Sequence, residues 1–285
     1  MALRVRITSI FLILLVLIGC STPASAMELV HLNSAKPPPS ALKTQARGIE
    51  PEKGLPIWGH LSKPSGEGPF PALVLMHGCA GIHASHERWS KLLNELGYVT
   101  LILDSFRPRN IFSVCSTFSR AASPPLRALD AQGALSYLQK LDFVDANKVG
   151  VIGWSHGGMS ALAAVTKHGI ASRFKKRFKM AIAFYPYCYA NQTSDIPILI
   201  LIGESDDWTP LETCKILLEQ SMKDQSPLQM VVYPRAYHAF DDPALGDGFY
   251  VDGLNGQRHF IQYNKSAHAD AKNQVENFLA IHLSK

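Results

Sequence analysis

An α/β fold built on a mostly parallel, doubly wound sheet flanked by helices is what this sequence predicts, and three observations predict it. Short apolar runs alternate along the chain with segments of helical periodicity, the order that lays helices on both faces of a parallel sheet. The run Ala72–Met76 is apolar at every position, as a central strand covered on both faces must be. Residues 149–158 read VGVIGWSHGG, a buried-strand pattern that breaks into a glycine-flanked turn at Ser155 and continues as an alanine-rich helix over Met159–Thr166.

Taken in order, Glu28–Ser34 reads as a first strand, and the consecutive prolines of 36–40 impose a loop. Pro56–Lys63 is a second strand, followed by a turn at Gly66, Gly68, Pro69 and Pro71. Ala72–Met76 leads into the loop His77–Gly81, then a helix over Glu87–Leu96 and a buried strand over Tyr98–Leu103 ending at Asp104. A long polar loop reaches about Pro125, and the next helix sets Ala131, Leu135, Leu138 and Leu141 on one face. Lys148–Ile152 is the strand before the turn at Ser155. Met180–Phe184, Pro197–Ile202 and Gln229–Tyr233 are further strands, and Ala267–Leu283 a terminal helix with Val275, Phe278, Leu279 and His282 on one face. In such sheets ligand sites lie beyond the carboxyl ends of the strands. His77–Gly81, Asp104, Ser155, Tyr185, Asp206 and His238 all follow strand ends, so they are expected along one edge.

The chain has 285 residues, 47% apolar and 18% charged, an ordinary globular composition with length for one large core. Residues 27–285 are read as one domain. Ahead of it, Arg4 and Arg6 precede the apolar stretch Ile10–Ile18, too short for a membrane span and the pattern of an export signal. Two processing points compete: a lipobox at Leu17–Cys20, with Cys20 lipidated as the chain's one route to a membrane, and the small-x-small site Ala24–Ala26. Cys79, Cys115, Cys188 and Cys214 remain beyond it, an even number that suggests two disulfides in an exported protein. The net charge is +5, two units of it from Arg4 and Arg6. The cluster Arg173, Lys175, Lys176, Arg177 and Lys179 reads as a solvated loop, and without interleaved aromatics it gives no nucleic-acid surface.

The turn at Ser155 is a G-x-S-x-G nucleophile elbow, in which a strained serine stands at the head of a helix N-terminus. A serine hydroxyl needs a base within hydrogen-bond reach, and the base needs a group to hold its tautomer. Asp206 and His238 each follow a later apolar strand, in the order Ser–Asp–His, and are the expected acid and base. Asp207 is the rival acid, and Asp104 fits the order less well. The oxyanion donors are expected to be the backbone N–H groups of His156, directly after the serine, and of Cys79, in the loop after Ala72–Met76.

With these residues in place the chain resembles the dienelactone hydrolase family of α/β-hydrolases. The resemblance rests on PALVLMHGCAG (71–81), DSFRPR (104–109), RALD (127–130), GWSHGG (153–158), GESDDWTP (203–210) and HAFD (238–241), and spans nearly all of the chain past the export signal. It implies an α/β-hydrolase fold, puts Asp206 rather than Asp207 at the acid position, and implies hydrolysis of a small ester or lactone through an acyl-enzyme without a cofactor. Founding members carry cysteine as nucleophile; Ser155 points instead to ordinary carboxylic esters. A non-catalytic exported binding protein on the same scaffold and an acyltransferase are the alternatives.

Several further residues are assigned around this centre. Arg107 and Arg109, in a loop past a strand end, are candidates to clamp a substrate carboxylate. Trp154, Tyr185, Tyr187 and Trp208 are candidates to line the cleft. His77, Cys79, His83 and His86 lie close enough to suggest zinc, but the His-Gly segment already serves as an oxyanion loop, so no metal is expected. Cys79 and Cys115 follow strands expected to be neighbours, as do Cys188 and Cys214, which predicts the pairs Cys79–Cys115 and Cys188–Cys214. Only a short connection, 186–196, follows the strand where many lipases insert a cap. A minimal lid and an open cleft are therefore expected.

Overall fold

The computed structural model describes residues 27–38 and 48–284. The expected export signal, with Cys20 and Ala24–Ala26, lies outside the described residues. The described chain builds an eight-stranded sheet of β1 (Glu28–Ala35), β2 (Lys53–Ser62), β3 (Phe70–Met76), β4 (Val99–Asp104), β5 (Val144–Trp154), β6 (Ala181–Phe184), β7 (Ile198–Gly203) and β8 (Leu228–Tyr233), in the order β1-β2-β4-β3-β5-β6-β7-β8. The first two strands pair antiparallel, β2 meets β4 antiparallel, and every later pairing is parallel. This is the predicted doubly wound sheet with an antiparallel edge.

Strand pleating explains the unbroken apolar runs. In β3, Ala72, Val74 and Met76 face one helical layer, formed by α2 (Pro124–Leu138), α3 (His156–Val165) and α4 (Leu211–Lys223). Leu73 and Leu75 face the opposite layer, formed by α1 (Ala84–Glu95) and α5 (Lys265–His282). With both faces covered, neither register position can be polar.

Two differences from the sequence expectation bear on the site. Helix α2 stops at Leu138, so Leu141 packs on the core from the turn beyond it rather than from the helix face. More consequential, a second small sheet, β9 (Phe249–Asp252) paired antiparallel with β10 (Arg258–Ile261), stands where no element was expected. Both disulfides, Cys79–Cys115 and Cys188–Cys214, are present. The basic cluster is partly tied down: Lys175 pairs with Glu50 at 3.2 Å, and Phe174 bridges to Ile49. Among the described residues no helix is long and apolar enough to cross a membrane.

Candidate active site

Ser155 sits between β5 and α3 with φ 53° and ψ −119°, a backbone conformation that side-chain-bearing residues avoid. Its surroundings enforce it. The Ser155 N–H donates to the Phe184 carbonyl at 2.9 Å, and its own carbonyl accepts from Met159 N–H at 2.9 Å. A Cβ on Gly153 would lie 2.1 Å from the Gly157 carbonyl oxygen, and one on Gly157 would lie 2.0 Å from that of Met76. Only glycine fits at either position, so the G-x-S-x-G pattern is here a statement about backbone clearance.

His238 follows β8 and Asp206 follows β7, and the sheet brings both to the serine. His238 Nε2 lies 2.9 Å from Ser155 Oγ, and His238 Nδ1 lies 2.8 Å from Asp206 Oδ2. Asp206 is buried, and burial alone would push its carboxyl up. The charge and hydrogen bond of His238 and the bonds from Thr209 outweigh that and hold it below the usual carboxylate range. The donors are local: the backbone N–H groups of Trp208 and Thr209 each lie 2.9 Å from Oδ1, and the Thr209 hydroxyl lies 2.9 Å from Oδ2. Asp207, the rival, turns outward with a half-exposed side chain and has His259 Nδ1 at 3.5 Å. Asp104 accepts from the N–H groups of Phe106 and Arg107 and caps its own loop.

On the other side of the serine, His156 opens α3, so its N–H has no carbonyl to bond within the helix. The loop carrying Cys79 passes close by: a Cβ on Gly78 would stand 3.8 Å from that of Ser155. Cys79 is fixed from outside, its carbonyl accepting from Val114 N–H at 2.8 Å and its sulfur bonded to Cys115.

Beneath this loop lies a residue whose role the sequence did not disclose. Arg127 is fully buried and donates at 2.7 Å to the His77 carbonyl and at 2.7 Å to His156 Nδ1. It thereby ties the Cys79 loop to the head of α3. Burial brings its guanidinium down to about 9 despite nearby Asp130. Burial and Arg127 bring His156 down to about 3, so the imidazole is neutral and free to accept. Arg127 stands in the RALD segment, where only the family resemblance marked it.

The arginine clamp is corrected by the structure. Arg109 donates to both oxygens of buried Asp130, at 2.7 and 3.1 Å, and to the Ser105 carbonyl at 2.7 Å, so it anchors the loop and does not face the cleft. Arg107 stacks over Phe112, 4.9 Å from its ring centre, and does not line the cleft either. Tyr187 packs on Tyr189 outside it. Trp154, Tyr185 and Trp208 do line it. Tyr185 lies 4.6 Å and Trp208 5.0 Å from the His238 ring, and His259 of β10 stacks on Trp208 from behind.

The cleft over Ser155 has a volume of about 420 Å³. No cap follows β6, as expected, but the cleft is not bare. The β9–β10 hairpin leans over it, stitched to the histidine loop by Gln262 N–H to the His238 carbonyl at 3.3 Å and Asn264 N–H to the Phe240 carbonyl at 2.9 Å. A usable signal existed in the sequence: two short β-branched and aromatic runs around Gly253 and Asn255-Gly256. Among the described residues no cluster of histidine, cysteine and acidic side chains has the arrangement of a metal site.

A half-buried hydroxyl, an imidazole and a buried carboxylate in hydrogen-bonded series, with a helix N-terminus alongside, can transfer a proton from the hydroxyl as it attacks a carbonyl. Comparison with known proteins bears on the fold and the family. Dipeptidyl peptidase 8 of Mus musculus is 24% identical over 280 residues, and the chain spans 30% of its length while 82% of this chain is matched. Among solved structures, a dienelactone hydrolase-like promiscuous phosphotriesterase from metagenomic libraries superposes with a TM-score of 0.64 at 18% identity, covering 90% of this chain and 99% of that one. Thermogutta terrifontis esterase 2, phosphorylated by paraoxon, superposes with a TM-score of 0.58 at 16% identity, covering 82% of this chain and 91% of that one. These structural likenesses establish the α/β-hydrolase fold. The dienelactone hydrolase family model matches residues 57–283, which is most of the chain, and the protein therefore belongs to that family.

Proposed function

We propose that the protein is an exported serine hydrolase that cleaves a small carboxylic ester or lactone through an acyl-enzyme. The observation that carries this reading is the continuous series Ser155 Oγ, His238, Asp206, with both links under 3 Å. Ser155 Oγ bonds to the ester carbonyl carbon while its proton passes to His238 Nε2. The carbonyl electron pair moves onto oxygen, held by the N–H groups of His156 and Cys79, each such donor being worth roughly 3 kcal/mol of barrier. Collapse breaks the bond to the alcohol, which leaves with the proton from His238. Water then repeats the sequence and frees the acid. Asp206, ionised across the neutral range, keeps His238 in the tautomer with its proton on Nδ1 and stabilises the imidazolium.

Arg127 positions the two donor segments without touching substrate. No step requires a metal or cofactor. The two disulfides support the exported setting. Ser155→Ala should lower hydrolysis of p-nitrophenyl butyrate by about 10⁴-fold or more while leaving the melting temperature near that of the unaltered protein. Retained turnover in a folded Ser155→Ala protein would reject the assignment.

A further inference from the structure

The wall of the cleft opposite Ser155 comes from the β9–β10 hairpin and its approach: Leu245, Phe249, Val251 and Ile261. Phe249 is 50% exposed, an apolar side chain held at the mouth of the cleft. Among the described residues no lysine or arginine lines this space: Arg107 packs on Phe112 and Arg109 is bound to Asp130. The titratable side chains that do line it, beyond the tyrosine, are His83, His86, His238 and Asp242. Burial lowers His86 to about 3, so it offers no positive charge. Asp242 places a carboxylate in the lining, paired with Arg88. A ligand carboxylate entering here would lose water, find no lysine or arginine among the described lining residues, and approach the Asp242 carboxylate.

We infer that the substrate is an uncharged ester whose apolar substituent lies under the β9–β10 hairpin against Phe249, and that esters or lactones bearing a carboxylate are rejected. The inference rests on the serine-hydrolase reading of the same site and adds the substrate class. The apolar substituent gains by covering Phe249 and its neighbours, and each buried methylene is worth about fourfold in kcat/KM, ~0.8 kcal/mol.

The test uses the full folded protein with p-nitrophenyl acetate, butyrate and hexanoate, p-nitrophenyl hemisuccinate, and the neutral methyl ester of that hemisuccinate. Expected are a rise of about fourfold per methylene until the cleft is filled, and a kcat/KM for the hemisuccinate at least about 100-fold below that of its methyl ester, the size of an uncompensated buried charge. Phe249→Ala should cut the hexanoate-to-acetate ratio about tenfold, as loss of a large apolar contact would. Asp242→Asn, which keeps an acceptor for the Ala244 N–H, should narrow the gap between the hemisuccinate and its methyl ester. Equal use of charged and neutral succinates by the unaltered protein, or a chain-length profile that Phe249→Ala leaves untouched, would overturn the inference. Both results would leave the serine-hydrolase reading standing if turnover still required Ser155, whereas turnover independent of Ser155 would remove that reading instead.

Discussion

Three neutral donors converge on one buried carboxylate behind the cleft. Tyr185 Oη lies 2.7 Å from Asp241 Oδ1, while the indole N–H groups of Trp89 and Trp154 donate to Oδ2 at 2.7 and 2.9 Å. Burial pushes the Asp241 carboxyl up, and these bonds pull it part of the way back. The cluster locks the ring of Tyr185 against His238 and holds the Trp154 wall of the cleft. A tyrosine hydroxyl can turn to accept, but an indole N–H can only donate. Asp241→Asn, with its carbonyl toward the indoles and its amide toward Tyr185, should therefore cost about 1–3 kcal/mol of stability. Asp241→Leu, which strands both indoles, should cost distinctly more in the same denaturant titration. A leucine variant as stable as the asparagine one would contradict this account.

His86 gives a pH prediction at the same scale. Its Nδ1 accepts from His83 N–H at 3.0 Å at the start of α1, and burial lowers it from 6.5 to about 3. Because the folded value is depressed, the unfolded chain binds this proton first as pH falls below 6.5. The stability that neutral His86 preserves is complete above that point and is lost progressively toward pH 3. His86→Gln, which keeps an acceptor for the cap, should flatten the slope of unfolding free energy against pH by up to about 1.4 kcal/mol per pH unit in this window. Parallel slopes for the two proteins would rule it out.

Among the elements, the elbow depends on three backbones passing within contact distance: the end of β3, the turn itself and the first turn of α3. A Cβ on Gly157 would meet the carbonyl oxygens of Met76 and His77 at 2.0 and 2.5 Å. No flexible side chain can yield there, so Gly157→Ala must shift the loop that carries Cys79. It should destabilise the protein by about 3 kcal/mol or more, and any folded fraction should show reduced kcat with little change in KM, because the displaced group is the proposed oxyanion donor. Full activity with unchanged stability would contradict the proposed clearance. The strands of the sheet and the elbow were legible in the sequence because each has a dense local signature: unbroken apolar runs, or glycines at fixed offsets. The hairpin over the cleft left only the weak signal of two four-residue runs about a glycine-rich turn, because β9 and β10 are short and β9 buries no side chain that would impose a period. The arginine pair failed for a different reason. A loop position past a strand end says that Arg109 is near the site, but its partner, Asp130, comes from α2 on the far side of the loop.

For the molecule as a whole, topology does the gathering. Ser155, Asp206 and His238 follow β5, β7 and β8, whose carboxyl ends share one edge of the sheet, and Cys79 follows β3 on the same edge. The order of these residues along the chain was therefore enough to anticipate that they meet. It could not anticipate the buried supports, Arg127 and Asp241, whose partners are scattered over five different segments and leave no spacing to read. The disulfides reinforce the same edge, Cys79–Cys115 beside the proposed oxyanion hole and Cys188–Cys214 between the β6–β7 connection and α4. The central claim, that this edge works as one catalytic unit around Ser155, is tested most directly by labelling the folded protein with a fluorophosphonate and mapping the adduct by peptide mass spectrometry. The account predicts one adduct per chain, on Ser155, with esterase activity lost in step with labelling and with labelling sharply slowed in His238→Ala. No adduct on Ser155, or full ester turnover by protein fully labelled there, would contradict it.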